Sequence, residues 1–346
     1  MSKVPLVTED MVIVENNAYF FSFSFNGLYT MNMTEQNVHL CGSVPWEPLM
    51  RDYLFVTSAE VDGRIYLIPY LAHSIAVYNI ETSEFTKIEL KEELLTIDGL
   101  FLAVEKVEKD LFLFGAKAPY IVKLDTVTNK MTYLQDWHRG VAPFIFDETR
   151  AFFWRQVVAL ENKFYIPFCN ANSILEFDIN TLESTLHVIG EEAIGYSGIC
   201  FDGKNFWCSP ETKQDCILRW NRETDEKRYV SSEENDIYYG IVYHNNQVKP
   251  ILGSIHNFAK RIGNDMIYFE KNGNTVVIEG KKIQKKFRLL VDSAEIPLKE
   301  ILMEKVKQET TGIPLKVFIE ALKQEETPDD KSSADYISIG EKIYAL

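Results

Sequence analysis

The chain has 346 residues and a formal net charge of −15, so length alone allows about two or three domains. The acidic balance argues against nucleic acid as a main partner, because a phosphate-binding surface needs clustered Lys and Arg. Residues 1–15 lack a basic segment followed by an apolar stretch, no run approaches the roughly 20 apolar residues of a membrane span, and the five cysteines include no Cys-x-x-Cys pair. A reduced, cytoplasmic protein with no signal peptide, no membrane insertion and no zinc site is expected.

In chain order, residues 11–17 read as a first inner strand, followed by strands at 18–24, 27–32 and 38–42. A second unit covers about 53–90 and a third about 100–134. Within the second lies the phrase Arg64-Ile-Tyr-Leu-Ile-Pro-Tyr-Leu-Ala-His-Ser-Ile-Ala-Val-Tyr-Asn-Ile-Glu-Thr82, which returns without a gap at 163–181 in the fourth unit. Each copy is two strands and their turns: residues 65–69 are β-branched and aromatic, and 74–80 alternate in period two, with Ile75 and Val77 on one face. The phrase ends on a tight turn opened by Asn or Asp, whose side-chain oxygen folds back onto the backbone two residues on. That turn falls at Asn32, Asn79, Asp125, Asp178 and Asn221, in steps of 47, 46, 53 and 43 residues. Units of this length with about four short strands have the period of propeller blades.

The fourth unit runs to about 189 and the fifth from 195 to about 230. A sixth opens at Ile237-Tyr238-Tyr239-Gly240 and continues through 248–254. Further strands at 259–262, 266–270, 275–279 and 285–290 either finish the sixth unit or supply part of a seventh. Six blades are preferred, with seven as the alternative. Lys281, Lys282, Lys285, Lys286 and Arg288 are expected on the solvated face of a late strand pair. The expected fold is an all-β propeller of four-stranded antiparallel blades over residues 1–292. An amphipathic α-helical tail over 293–346 follows, because Leu298, Ile301, Leu302 and Val306 sit at helical spacing. Its apolar stripe needs a partner surface, either the propeller itself or another copy in an assembly.

Asp62-Gly63-Arg64-Ile65-Tyr66-Leu67-Ile68-Pro69 followed by Ser74-Ile75-Ala76-Val77-Tyr78-Asn79 resembles the blades of kelch-like and related bacterial β-propellers, over about residues 11–270. The chain departs from kelch blades in lacking a Gly-Gly pair after the second strand, and from WD40 blades in lacking their Gly-His and Trp-Asp dipeptides. The resemblance implies a fold, and such folds host binding scaffolds and enzymes alike.

In a propeller, the loops between blades and those joining second to third strands share one face. This places Tyr70, His73, Trp137, His138, Arg139, Trp154, Arg155, Asn172, Tyr239 and His256 together as candidate ligand-binding residues. Aromatic faces stack on sugars or peptide side chains, while Asn and Arg direct hydrogen bonds. The segment Trp137-His138-Arg139 is singled out because it occupies the longest step of an otherwise regular array. The first expectation is a binding or scaffold propeller for a protein or glycan, without a cofactor. The alternative is a metal-assisted lyase or hydrolase of a sugar-like substrate, with His73, His138 and His256 around a divalent ion. A third class, a structural or oligomerising protein, rests on the tail. No Gly-x-Ser-x-Gly, His-Glu-x-x-His or P-loop is present.

Overall fold

Alternate residues of the repeat phrase bury against different neighbours. In the computed structural model, which describes residues 3–190, 192–212, 216–231, 236–281 and 283–296, Ile65 and Leu67 pack with blade one, whereas Tyr66 and Ile68 pack with blade three. The same alternation recurs one blade on, where Leu111 and Leu113 face blade two and Phe112 and Phe114 face blade four. A strand apolar on both sides must sit between two other sheets, which is the condition of a blade in a ring. The core is accordingly a series of layers between successive blades, including one between blades four and five built on Tyr165, Tyr196, Phe206 and Trp220.

Six four-stranded antiparallel blades result, covering residues 12–42, 55–89, 101–134, 158–188, 196–230 and 256–288. Within each, the first strand is innermost and the fourth is outermost. The turns that set the period join third to fourth strands. In each of the five, the amide N–H groups two and three residues on donate to the Asn or Asp side chain, as at Asn79 (2.9 and 3.2 Å) and Asn221 (3.1 and 3.0 Å). The fifth residue of every such turn (Gln36, Ser83, Asn129, Leu182, Asp225) has positive φ, the left-handed step that closes the loop and returns the chain to the ladder.

The sixth unit differs from the expected one. Tyr238–His244 and Gln247–Leu252 form a separate two-stranded hairpin, and the sixth four-stranded blade begins only at His256. The hairpin is wedged between blades five and six: Ile241 packs with Cys200 and Ile217 on one side, and Val242 and Ile251 pack with Ala259 and Tyr268 on the other. Its pairing runs from a two-residue Asn245-Asn246 turn, both at positive φ, which puts the nitrogen of Pro250 on the outer edge. Proline has no N–H there to offer a third strand. Among the described residues the channel is therefore walled by seven inner strands, six of them belonging to complete blades.

Lys3–Pro5 pairs antiparallel with Leu290–Asp292, and the latter runs parallel to the outer strand of blade one at Val291 and Val38. The Leu6 and Thr8 amides donate to the Leu289 and Gly273 carbonyls at 2.9 and 3.0 Å, joining the start of the chain to blade six. Glu295 accepts from the Leu40 amide at 3.1 Å and meets His39 at 3.3 Å. The late basic run is solvated where described: Lys285, Lys286 and Arg288 are exposed. The helical tail expected beyond 293 lies, from residue 297 on, outside the described residues. Among the described residues no helix is long and apolar enough to cross a membrane.

Candidate functional sites at the two ends of the channel

Every inner strand contributes to one cavity of about 810 Å³ on the ring axis. Its walls come from residues 58–60, 104–106, 199–201 and 241–243, in the later half of their inner strands, with 11–13 and 155–159 from the short inner strands of blades one and four and the residues just before them. The cavity therefore lies toward the first-to-second-strand hairpins, at the opposite end from the loops named above.

Charged pairs cross the channel. Asp10, buried ahead of the first inner strand, accepts from the amide and hydroxyl of Ser58 (2.6 and 2.8 Å) and pairs with Lys260 at 2.7 Å, tying blades one, two and six together. Arg155 pairs with Glu9 and lies 5.3 Å from the centre of the Phe258 ring. Lys106 bridges to the Glu60 carbonyl at 2.7 Å and its carboxylate at 3.4 Å. Gln156 accepts from the Ile241 amide at 2.9 Å and lies over Gly198 and Gly240, the two positions where blade five and the hairpin touch backbone to backbone. Glu105 projects from blade three into the same space. Its carboxylate reaches channel solvent, yet protein surrounds it, and this burial pushes its pKa up to about 7 against the opposing pull of Lys260.

At the strand-start end the surface is aromatic. Phe23 and Tyr53 meet with centroids 3.9 Å apart, and Tyr53 and Tyr70 at 6.4 Å. Tyr70 and Trp154 pack against the same three buried residues, Val56, Leu102 and Ala116. Tyr53 is 38% exposed. Burial raises the pKa of Tyr53 and Tyr70 while the charge of Arg155 lowers both, which puts the guanidinium within electrostatic reach of the two rings.

The structure brings Tyr70, Trp154 and Arg155 into this one region. Trp137 sits instead in the core between blades three and four, on a short helix (Asp136–Val141), against Phe153 and Phe168, with its indole N–H donating to the Leu134 carbonyl at 3.2 Å. His138 stands edge-on to Phe152 at 5.2 Å, and Arg139 is exposed. Asn172 is buried, accepting from the Tyr196 hydroxyl at 2.8 Å and donating to the Glu192 carbonyl at 3.1 Å. Tyr239 packs on the layer between hairpin and blade six. His73 meets Glu47 at 3.5 Å, and His256 lies against Tyr268 at 5.2 Å, with burial lowering its pKa. His73, His138 and His256 thus have separate partners. Among the described residues no three His, Cys, Asp or Glu side chains gather as metal ligands would.

Glu105, Asp10, Lys260 and Arg261 escaped the sequence reading. For Glu105, Lys260 and Arg261 the signal was a charge inside an otherwise apolar inner strand just before its hairpin, as in Val104-Glu105-Lys106 and Ala259-Lys260-Arg261.

No protein-family model matches the chain, and no curated protein matches its sequence. Solved structures do. A streptogramin B lyase structure is similar at 14% identity with a TM-score of 0.54, over 84% of this chain and 86% of that one. The computationally designed Ika8 protein is similar at 10% identity and a TM-score of 0.55, over 83% and 88%. The extracellular domain of BT4673 from B. thetaiotaomicron is similar at 11% identity and a TM-score of 0.50; this chain is 84% covered but spans only 34% of that one. At such identities the likeness is one of fold, the β-propeller.

Proposed function

We propose that this chain is a binding propeller that recognises a protein segment or a glycan at the strand-start face. The observation that carries the reading is the half-exposed aromatic run of Phe23, Tyr53, Tyr70 and Trp154 with Arg155 beside it. Flat rings supply stacking area with few side-chain torsions to freeze, and the Arg155 guanidinium, held by Glu9, adds positive charge behind them. His73 and Arg139, exposed on the same set of loops, extend the rim. The kelch-like pattern of the blades belongs to this reading, and so does a reducing, cytoplasmic setting, which the five free cysteines support.

The test is binding to an array of glycans and aromatic-rich peptides, repeated with Tyr53→Ala and Trp154→Ala. Retained folding with at least a tenfold loss of affinity is expected. Ligands that bind the variants as tightly as the parent overturn the proposal. A lyase reading, to which the streptogramin B lyase likeness lends a fold precedent, needs His73, His138 and His256 around one ion, and their present partners do not favour it.

A further inference from the structure

The cavity at the hairpin end has its own charge pattern. Three of its four cations are answered by carboxylates: Lys260 by Asp10, Lys106 by Glu60 and Arg155 by Glu9. Two charges remain. Glu105 makes no ion pair or side-chain hydrogen bond among the described residues, Lys260 acting on it from beyond contact. Arg261 meets no carboxylate among the described residues, its guanidinium donating to the Tyr243 carbonyl. A carboxylate held within protein without a partner is costly, and, among the described residues, the one cation lining the same cavity without a carboxylate has the opposite sign. The lining also includes apolar side chains, among them Ile13, Ala159, Phe201 and Met266, and the volume lies in the range of small-molecule sites.

We propose that this cavity binds a small zwitterion, an α-amino acid or short peptide, with its ammonium group on Glu105, its carboxylate on Arg261 and its side chain on the apolar wall. Of the aromatic-face residues only Arg155 also lines this cavity, and the proposal rests on Glu105 and Arg261, not on that face. Burial pushes the Glu105 carboxyl up to about 7, so the site carries its full charge only above neutrality. The surrounding groups do not cancel that dependence: Glu60 and Lys106 hold each other, Asp10 holds Lys260, Glu9 holds Arg155, Gln156 is uncharged, and burial keeps the Cys200 thiol protonated.

The experiment is calorimetric titration of the full chain with the free amino acids and with glycyl-leucine, N-acetylglycyl-leucine and glycyl-leucinamide. At pH 7.5 a free zwitterion from this set binds, and blocking either terminus weakens binding at least tenfold. Glu105→Gln removes the preference for a free amine, Arg261→Met removes the preference for a free carboxylate, and Tyr53→Ala changes neither. Affinity rises roughly eightfold between pH 6 and 7.5, from the ionised fraction of Glu105, and for glycyl-leucine falls again as the peptide amine deprotonates near pH 8. Both charge variants are checked by near-ultraviolet circular dichroism for a parent-like core. No binding by any member of the set, or equal binding of free and blocked forms to a folded protein, overturns the proposal.

Discussion

Replacing Gly198 with alanine probes a close backbone approach between blade five and the hairpin. Gly198 lies on the inner strand of blade five and Gly240 on that of the hairpin. A Cβ at position 198 would stand 2.5 Å from the Gly240 Cα and 2.9 Å from the Ile241 nitrogen, and would also strike the Gln156 side chain. Gln156 can swing away, but the two backbone atoms can recede only if the strands separate. Overpacking of this kind costs about 1–3 kcal/mol. Breaking the bond from the Ile241 amide to Gln156 adds about 1 kcal/mol, for an expected loss of roughly 2–4 kcal/mol. At about 2 °C per kcal/mol for a chain of this size, the melting temperature falls by roughly 4–8 °C. Urea unfolding followed by tryptophan fluorescence, alongside a thermal melt, reads both quantities. Adding Gln156→Ala to the variant separates the two contributions, because removal of that side chain leaves the backbone conflict in place. Recovery of less than about 1 kcal/mol is expected. A Gly198→Ala protein within about 0.5 kcal/mol of the parent, or full rescue by Gln156→Ala, refutes the reasoning.

Four further outcomes follow from the described contacts. Trp137→Ala removes a buried indole from the layer between blades three and four and is expected to cost about 3–5 kcal/mol in denaturant unfolding, without altering glycan or peptide binding. Glu176→Gln leaves Lys163, His187 (2.9 Å) and Arg222 (3.0 Å) around a neutral group and costs about 2–4 kcal/mol at pH 7. Burial alone would raise the Glu176 pKa, but hydrogen bonds from Lys163 and His187 and the charges of Arg222 and Lys163 hold it below the ordinary value, so its contribution is present above the unfolded carboxyl value and is lost as pH falls through the folded one. The variant and parent therefore converge in acid denaturation curves. Glu105 has the opposite sign: its pKa is raised from 4.5 to about 7, the folded state binds the extra proton, and stability falls as pH rises through that interval. Glu105→Gln is thus more stable than the parent at pH 8, by on the order of 1–3 kcal/mol, with the gain vanishing below about pH 4.5; an equal or lower melting temperature at pH 8 contradicts the burial of that charge. Asn221→Ala, which orphans the Glu223 and Thr224 amides, costs about 1–2 kcal/mol by urea titration, whereas alanine at a position outside such a turn does not.

The ring was legible because its constraints are local and repeated. A strand apolar on both parities, as at Ile65–Pro69, has to lie between two sheets, and the Asx turns at Asn79 or Asp178 mark one position per blade whatever the surroundings. The hairpin was not legible, because its strands carry the same pattern as blade strands, and what ends the sheet is the parity of one proline in a register fixed by Asn245-Asn246. The candidate residues divide for a similar reason. A tryptophan in an inserted segment offers the same letters whether it caps a core, as Trp137 does, or stays half open beside a tyrosine, as Trp154 does. Glu105 and Arg261 were hidden because a charge near a strand end reads as solvent exposure, and only the closed circle turns that end toward a shared interior.

The way the circle is fastened has a consequence for its dynamics. Blade one has four strands of its own, so Lys3–Pro5 and Leu290–Asp292 form an outer ribbon whose release leaves every blade ladder intact. Detachment is then a partial opening, far cheaper than global unfolding. Amide protons at Val4 and Val291 should exchange on that lesser free energy, while those at Leu67 and Phe112 wait for the whole ring. A partner gripping blades one and six together would slow the first class alone, so exchange at the ribbon reports on occupancy of that seam.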